Sequence, residues 1–115
     1  MERDVLFVFK PGFTDRGVTW FCPYSAQVVG FLSYYPEVRA TLDVREVDFT
    51  RPRQPLVELV GEEHQAPPLL VLATAAEPEP VSRVTIGRAN GRALVEKTIE
   101  ILRYLAATRG VPGPH

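Results

Sequence analysis

The stretch Phe21-Cys22-Pro23-Tyr24-Ser25 contains the only cysteine of the chain and leads into a strongly apolar helical pattern. Pro23 suits the first position of that helix, because its missing N–H costs nothing there and its φ is already helical. Cys22 would then lie at or just before the N-cap, at the positive end of the helix dipole. The free N–H groups at that end favour thiolate over thiol. The pentapeptide therefore predicts a reactive or ligand-binding cysteine at a helix start.

Outward from this stretch, hydrophobic spacing predicts alternating strands and helices. Val5 to Phe9 is a continuous apolar run, typical of a strand buried on both faces. Residues 13–20 form a loop that could hold a small hairpin. From Ala26 to Tyr35 apolar residues recur at helical spacing, and Pro36 marks the end of that helix.

The second half of the chain continues the alternation. The predicted elements are a strand through Leu42, Val44 and Val47, a short helix Leu56 to Val60, a strand Leu69 to Leu72, an exposed turn Ala75 to Pro80, a fourth strand with Val81, Val84 and Ile86 that returns as a hairpin, a turn Gly87 to Gly91, and a last helix, capped by Asn90, with Leu94, Thr98, Ile101, Leu102 and Leu105 on its core face.

Composition indicates one globular domain, residues 1–115, without a disulfide framework. With 115 residues, of which 45% are hydrophobic and 23% charged, the chain can bury a core without metal or disulfides. We expect an ordered core over residues 4–109 and a flexible tail over residues 110–115. The net charge of -1 provides no basic excess for nucleic acid or an anionic membrane. One cysteine and the lack of a signal peptide or membrane-spanning run indicate a cytoplasmic setting.

The order of elements resembles that of thioredoxin-fold proteins, and Cys22-Pro23-Tyr24-Ser25 is similar to the active-site motif of glutaredoxins. From about Asp4 to Arg109 the chain also resembles DUF3088, a family of small bacterial proteins of unknown function. Four segments carry this second resemblance: Lys10-Pro11-Gly12-Phe13, Val47-Asp48-Phe49, Arg51-Pro52-Arg53-Gln54-Pro55 and Gly87-Arg88-Ala89-Asn90-Gly91. The resemblance implies an α/β, thioredoxin-like fold, with a four-stranded mixed sheet of order 2-1-3-4 and helices on both faces.

The glutaredoxin-like motif implies that Cys22 is the catalytic nucleophile. Ser25 stands where dithiol relatives carry a second cysteine, so Cys22 cannot close an intramolecular disulfide. A monothiol cycle through a mixed disulfide with glutathione remains open, with Ser25 as a hydrogen-bond donor to the sulfur. Trp20, Phe21 and Tyr24 surround the thiol with aromatic surface. That surface could be a substrate platform, a dimer contact or packing of the preceding loop.

The same resemblance implies the other binding residues. Pro68 corresponds to the cis-proline that relatives hold beside the active cysteine, and Pro67 to the residue whose backbone pairs with a bound peptide or glutathione. Because Pro67 has no N–H, half of that pairing is lost; a rigid connection to the next strand is the alternative role of these prolines. Arg88 and Asn90 would receive the γ-glutamyl end of glutathione at the start of the last helix. A plain helix cap is the alternative there.

Two classes of function follow from these residues. The favoured one is a glutaredoxin-like monothiol protein that reacts with glutathione or glutathionylated proteins through Cys22. Its rival is a redox-silent thioredoxin-fold module that binds a partner or forms a homodimer through the aromatic face near Cys22. An iron–sulfur cluster held by Cys22 from two subunits, with glutathione completing its ligands, is the least favoured alternative. We predict no metal site in the chain itself, since His64 beside Glu62 and Glu63 has no recognisable ligand spacing.

Overall fold

A five-stranded mixed sheet forms the centre of the computed structural model, which describes residues 1, 3–73 and 77–115. Its strands lie in the order β4-β1-β5-β7-β6, with β1 parallel to β4 and the other neighbours antiparallel. Strands β2 and β3 form a separate hairpin. The elements are β1 (Asp4–Phe9), β2 (Phe13–Asp15), β3 (Val18–Trp20), α1 (Pro23–Tyr34), α2 (Pro36–Arg39), β4 (Leu42–Val47), α3 (Gln54–Val60), β5 (Leu69–Val71), β6 (Gly87–Ala89), β7 (Arg92–Val95) and α4 (Thr98–Arg109). Residues 75 and 76 of the turn predicted at Ala75 to Pro80 lie outside the described residues.

Buried apolar side chains form one cluster on each face of the sheet, because alternate residues of a strand point to opposite faces. Leu6 and Val8 of β1 lie in the cluster that contains side chains of α1, α2 and α4. Val5 and Phe7 lie in the cluster that contains side chains of α3. The predicted α/β class, with a mixed sheet and helices on both faces, is confirmed. In the C-terminal tail, Val111 packs against the first cluster.

Segment 81–86 forms no strand, so the predicted fourth strand is wrong. Its apolar side chains, Val81, Val84 and Ile86, nevertheless pack against the cluster beneath α1 and α4. The N–H of Thr85 donates to the carboxylate of Glu100 at the start of α4. That buried side chain therefore satisfies a backbone donor that a neighbouring strand would otherwise satisfy.

The β6–β7 hairpin replaces the predicted turn and the start of the predicted last helix. Asn90 and Gly91 have φ of 52° and 75°, the positive values that a two-residue hairpin turn requires. Leu94 and Val95, predicted on the helix, are buried in β7 between β5 and β6. Numbered in chain order, the strands of this sheet therefore lie as 2-1-3-5-4, and the predicted four-stranded sheet is wrong. The dipeptide Asn90-Gly91 is typical of a hairpin turn. The short apolar run that follows it fits either a strand or a helix.

Tyr104 of α4 should make stability depend on pH in the alkaline range. Burial, with the negative charge of Asp4, raises the pKa of Tyr104. The unfolded chain therefore loses this proton first, near pH ~10, and the stability that the neutral phenol contributes below that pH is lost above it. We expect the urea midpoint of Tyr104→Phe to fall less steeply than that of the wild type between about pH 9 and about pH 11. Equal slopes would contradict this role of Tyr104.

Candidate functional site

Cys22 is the N-cap residue of α1, with φ −82° and ψ 117°. Its sulfur accepts a hydrogen bond from the backbone N–H of Ser25 at 3.4 Å. Its carbonyl accepts the first helical hydrogen bond, from Ala26 N–H at 3.0 Å. The side chain is partly exposed. The thiol thus occupies the position at which a helix N-terminus interacts with anionic groups.

The hydroxyl of Ser25 connects α1 to the end of β1. Ser25 is buried, and its Oγ accepts a hydrogen bond from the N–H of Phe9 at 3.1 Å. The N–H of Lys10 points toward β4, where Val47 O accepts it, so the N–H of Phe9 points to the opposite side. On that side the paired part of β5 ends opposite Phe7. The Ser25 hydroxyl therefore accepts the Phe9 N–H in place of a strand partner. The hydrogen bond to the Cys22 sulfur comes from the backbone N–H of Ser25, and not from its side chain as predicted.

A cavity of about 250 Å³ opens beside the thiol, between the start of α1, the preceding loop and β4. Most of its lining is apolar, and Glu46 of β4 is the charged residue in it. The lining residues are Phe9, Pro11, Phe21, Cys22, Ser25, Ala26, Val29 and Glu46. A cavity of this composition can accept a small apolar group next to the sulfur.

The predicted binding residues Tyr24, Pro67 and Pro68 line a second hollow, a groove of about 430 Å³ on the other flank of the α1 start. Both prolines are buried, and the bond between them is cis. The start of α4 borders the same groove through its N-cap residue Lys97 and its first residue Thr98. The structure therefore brings Tyr24 together with both prolines, while Cys22 and Ser25 line the neighbouring cavity.

Arg88 and Asn90 lie on the β6–β7 hairpin and line neither the cavity nor the groove. Arg88 forms an exposed ion pair with Glu77 at 2.7 Å. The amide of Asn90 donates to the carbonyl of Leu59 in α3 at 3.1 Å. The predicted cap of the last helix at Asn90 is wrong, because α4 begins only at Thr98. Their predicted role in binding therefore loses the helix N-terminus on which it rested.

Four consecutive residues around the start of α4 also line the groove and are not among the predicted binding residues, because the predicted helix begins earlier than α4 does: Glu96, Lys97, Thr98 and Ile99. Glu96 also contacts His64, with 3.1 Å between Oε2 and Nδ1, and so provides this histidine with a carboxylate partner. Within the described part of the chain, no three His, Cys, Asp or Glu side chains converge to hold a metal ion.

The guanidinium of Arg53 supports the sheet end at which Cys22 lies. It stacks on the rings of Phe9 and Phe49, at 4.7 Å and 5.0 Å from their centroids. Its Nε donates to Phe49 O at 2.8 Å, and its Nη1 donates to Gln65 O at 2.6 Å. Burial, together with the charge of Arg51, lowers the pKa of Arg53, yet the group remains a cation at neutral pH. Arg53 thereby positions Phe9, which lines the cavity beside Cys22.

None of the helices in residues 1, 3–73 and 77–115 combines the length and the apolar character needed to span a bilayer.

The family model of DUF3088, described as a protein of unknown function, matches residues 3–113. No curated protein and no solved structure matches the chain. Because the family match extends over nearly the whole sequence, the chain belongs to DUF3088.

Proposed function

We propose that this protein is a glutaredoxin-like monothiol protein with a thioredoxin-like fold. The observation that carries the proposal is the position of Cys22, at the N-cap of α1 with its sulfur bonded to the Ser25 N–H and facing a cavity. The relative order of β4, β1, β5 and β7 supports the fold, since it corresponds to order 2-1-3-4 with β6 added at the edge. The parallel β1–β4 pair, with α1 between its strands in the chain, supports it as well.

The proposed reaction removes glutathione from a glutathionylated protein. The thiolate of Cys22 attacks the glutathione sulfur of the mixed disulfide, the S–S bond breaks, and the protein thiolate leaves and takes a proton from water. Cys22 then carries glutathione until the thiolate of a second glutathione attacks that sulfur and restores Cys22. The net products are a free protein thiol and glutathione disulfide. The Ser25 N–H stabilises the negative sulfur of Cys22 before the first step and after the second.

The groove beside Cys22 is the proposed binding site for the glutathione backbone. Tyr24 and Pro68 shape its walls, and the carbonyl of Pro67 can accept one hydrogen bond, although Pro67 has no N–H to donate. Lys97 and the free N–H groups at the start of α4 are better placed than Arg88 or Asn90 to receive a carboxylate of the ligand. Because glutathione supplies the reductant, the proposal places the protein in a reducing compartment such as the cytoplasm.

Two substitutions of Ser25 separate the roles of its backbone and its hydroxyl. Ser25→Ala keeps the N–H that binds the sulfur, whereas Ser25→Pro removes it at a first-turn position where proline is tolerated. A hydrogen bond to a charged group contributes about 1.5–3 kcal/mol, so we expect Cys22 alkylation at pH 7 to slow at least about tenfold in Ser25→Pro and less than about twofold in Ser25→Ala. The measurement is the iodoacetamide rate between about pH 5 and about pH 9, a range that includes the usual region of thiol ionisation.

Glutathione disulfide provides the second readout of the same proposal. We expect wild-type protein and Ser25→Ala to form a glutathione adduct on Cys22, detected as a mass increase that excess glutathione reverses. Circular dichroism shows whether each variant is folded. A folded wild-type protein whose thiol alkylates no faster than free glutathione and forms no adduct would overturn the monothiol function.

A second function, a redox-silent binding or dimerisation module, is favoured by the aromatic side chains near Cys22. Trp20, Phe21 and Tyr24 are 51%, 65% and 59% exposed. Large aromatic side chains this exposed commonly mark protein contacts. An inert thiol, with a dimer that persists in Cys22→Ser, would favour this function over the monothiol one. Visible absorption after anaerobic reconstitution with iron and sulfide would instead indicate a cluster shared by two subunits.

A further inference from the structure

The outward side of α1 carries no charge. The helix sequence PYSAQVVGFLSY contains no Asp, Glu, Lys or Arg. The exposed residues of α1 that line a common hollow, here called the α1 face, are Ala26, Gln27, Gly30, Ser33 and Tyr34. A helix at a protein surface normally presents charged residues to water, and a helix without them is normally covered. The α1 face therefore has the character of a contact surface.

Gly30 lies at the centre of this face, and no contact with residues 1, 3–73 and 77–115 requires a glycine there. A Cβ built on Gly30 would meet no atom within 4 Å, and its backbone is helical. Glycine is among the least favourable residues in a helix interior, so its use here needs a reason outside the chain. The usual reason is close approach of another backbone.

We propose that a second copy of the chain covers the α1 face, with the two α1 helices antiparallel and crossing at Gly30 on a two-fold axis. Residues at equal distances on either side of such an axis meet each other. Ala26 of one copy would then meet Tyr34 of the other, and Gln27 would meet Ser33. A small side chain faces a large one at the first pair, as ridge-and-groove packing of helices requires.

The Ser33 hydroxyl and a hollow along this face both fit the same dimer arrangement. The hydroxyl of Ser33 already donates to Val29 O at 3.0 Å, so the dimer buries no unpaired hydroxyl there. An apolar hollow of about 580 Å³ lies along the face, between α1, Leu102 of α4 and Pro112 of the tail. The Tyr34 ring, which is 82% exposed, can enter that hollow on the other copy.

The exposed aromatic area along α1 is about half of what a standard dimer interface buries per partner. Phe21 lines a cavity with Ala26, and Tyr24 lines a groove with Gln27, so both border the α1 face. Together with Tyr34 these side chains are each more than half exposed and, at roughly 200 Å² for each complete side chain, expose on the order of 400 Å², against about 800 Å² per partner in a standard interface. The remaining residues of the α1 face can supply the difference. Because the face is uncharged and self-complementary about Gly30, a second copy fits it better than a charged partner.

This inference rests on the second proposed function, dimerisation, and not on the chemistry of Cys22. Sedimentation equilibrium with a reductant present, from about 0.1 to about 100 µM, tests it, because interfaces of this size have dissociation constants of micromolar or below. We expect wild type and Cys22→Ser to be dimers with equal dissociation constants. Gly30→Gln should raise the constant at least about 100-fold through overpacking at the axis. Ala107→Gln, the matched change at an exposed position of α4, should leave it unchanged.

Thermal unfolding and a crosslink complete the test. At a concentration where both proteins are monomers, Gly30→Gln should melt no lower than wild type, because the added side chain enters open space. In the Cys22→Ser background, Gly30→Cys should form an intermolecular disulfide on oxidation and Ala107→Cys should not, since a disulfide needs Cα atoms within about 7 Å. A wild-type monomer throughout the range would overturn the inference and dimerisation together. A dimer that Gly30→Gln leaves intact and that Gly30→Cys does not crosslink would overturn only the α1 interface.

Discussion

Replacing Arg53 with methionine should lower the free energy of unfolding by about 3 kcal/mol. Methionine preserves apolar contact with Phe9 and Phe49 but removes the donors of the partly buried Phe49 carbonyl and the buried Gln65 carbonyl. Hydrogen bonds from a charged donor contribute about 1.5–3 kcal/mol each, and each desolvated cation–π contact adds up to about 2 kcal/mol. Methionine also avoids the cost of burying a cation, which offsets part of these lost contributions. The net loss of stability remains large. Urea unfolding monitored by circular dichroism provides the measurement.

Two further variants distinguish geometry from charge at this position. Arg53→Lys keeps the positive charge but cannot donate to both carbonyls or stack as a plane, so it should recover less than half of the lost stability. Arg51→Met, at the exposed neighbouring arginine, should change stability by less than about 0.5 kcal/mol. Full recovery by lysine would show that charge alone matters. A loss at Arg51 as large as that at Arg53 would refute the buried network as the cause.

Arg109→Met should lower the free energy of unfolding by about 2–3 kcal/mol, somewhat below the range for breaking a fully buried ion pair. Arg109 and Asp4 pair at 3.0 Å, with only 16% and 14% of their side chains exposed. Asp4 also accepts the N–H of Ala73 at 2.7 Å, and Arg109 donates to Thr41 at 3.1 Å. The pair therefore joins the starts of β1 and β4, the residues after β5 and the end of α4. Losing the cation leaves a largely buried carboxylate whose remaining donor, among the residues that the structure describes, is the N–H of Ala73.

A double-mutant cycle with Asp4→Asn measures the coupling of this pair, because asparagine can still accept the N–H of Ala73. We expect a coupling free energy above about 1 kcal/mol. The exposed pair Arg45–Asp43, with 43% and 44% of its side chains exposed, is the matched comparison and should contribute less than about 1 kcal/mol. Equal coupling in the two pairs would contradict the role of burial.

Several features that depend on neighbouring residues in the chain are predicted correctly from the sequence. Pro23 begins α1 and Cys22 is its N-cap, as expected, because proline fixes φ and needs no hydrogen-bond partner at that position. The apolar run Val5 to Phe9 is a central strand, and the small hairpin before α1 is present. In each case the deciding physics acts over a few residues, so the printed sequence contains it.

Only the tertiary structure decided the features that depend on distant partners. Leu94 and Val95 lie on a strand because β5 and β6 offer them backbone hydrogen bonds and burial, a choice that their own short apolar run leaves open. The Ser25 hydroxyl binds β1 because β5 ends before Phe9. Lys97 borders the groove only because α4 begins beside Pro67 and Pro68. The sequence by itself thus determined the thiol at a helix start and the α/β class. Strand order, the partner of Ser25 and the walls of the groove follow from long-range contacts, because burial and hydrogen bonding between segments far apart in the chain outweigh local preference there.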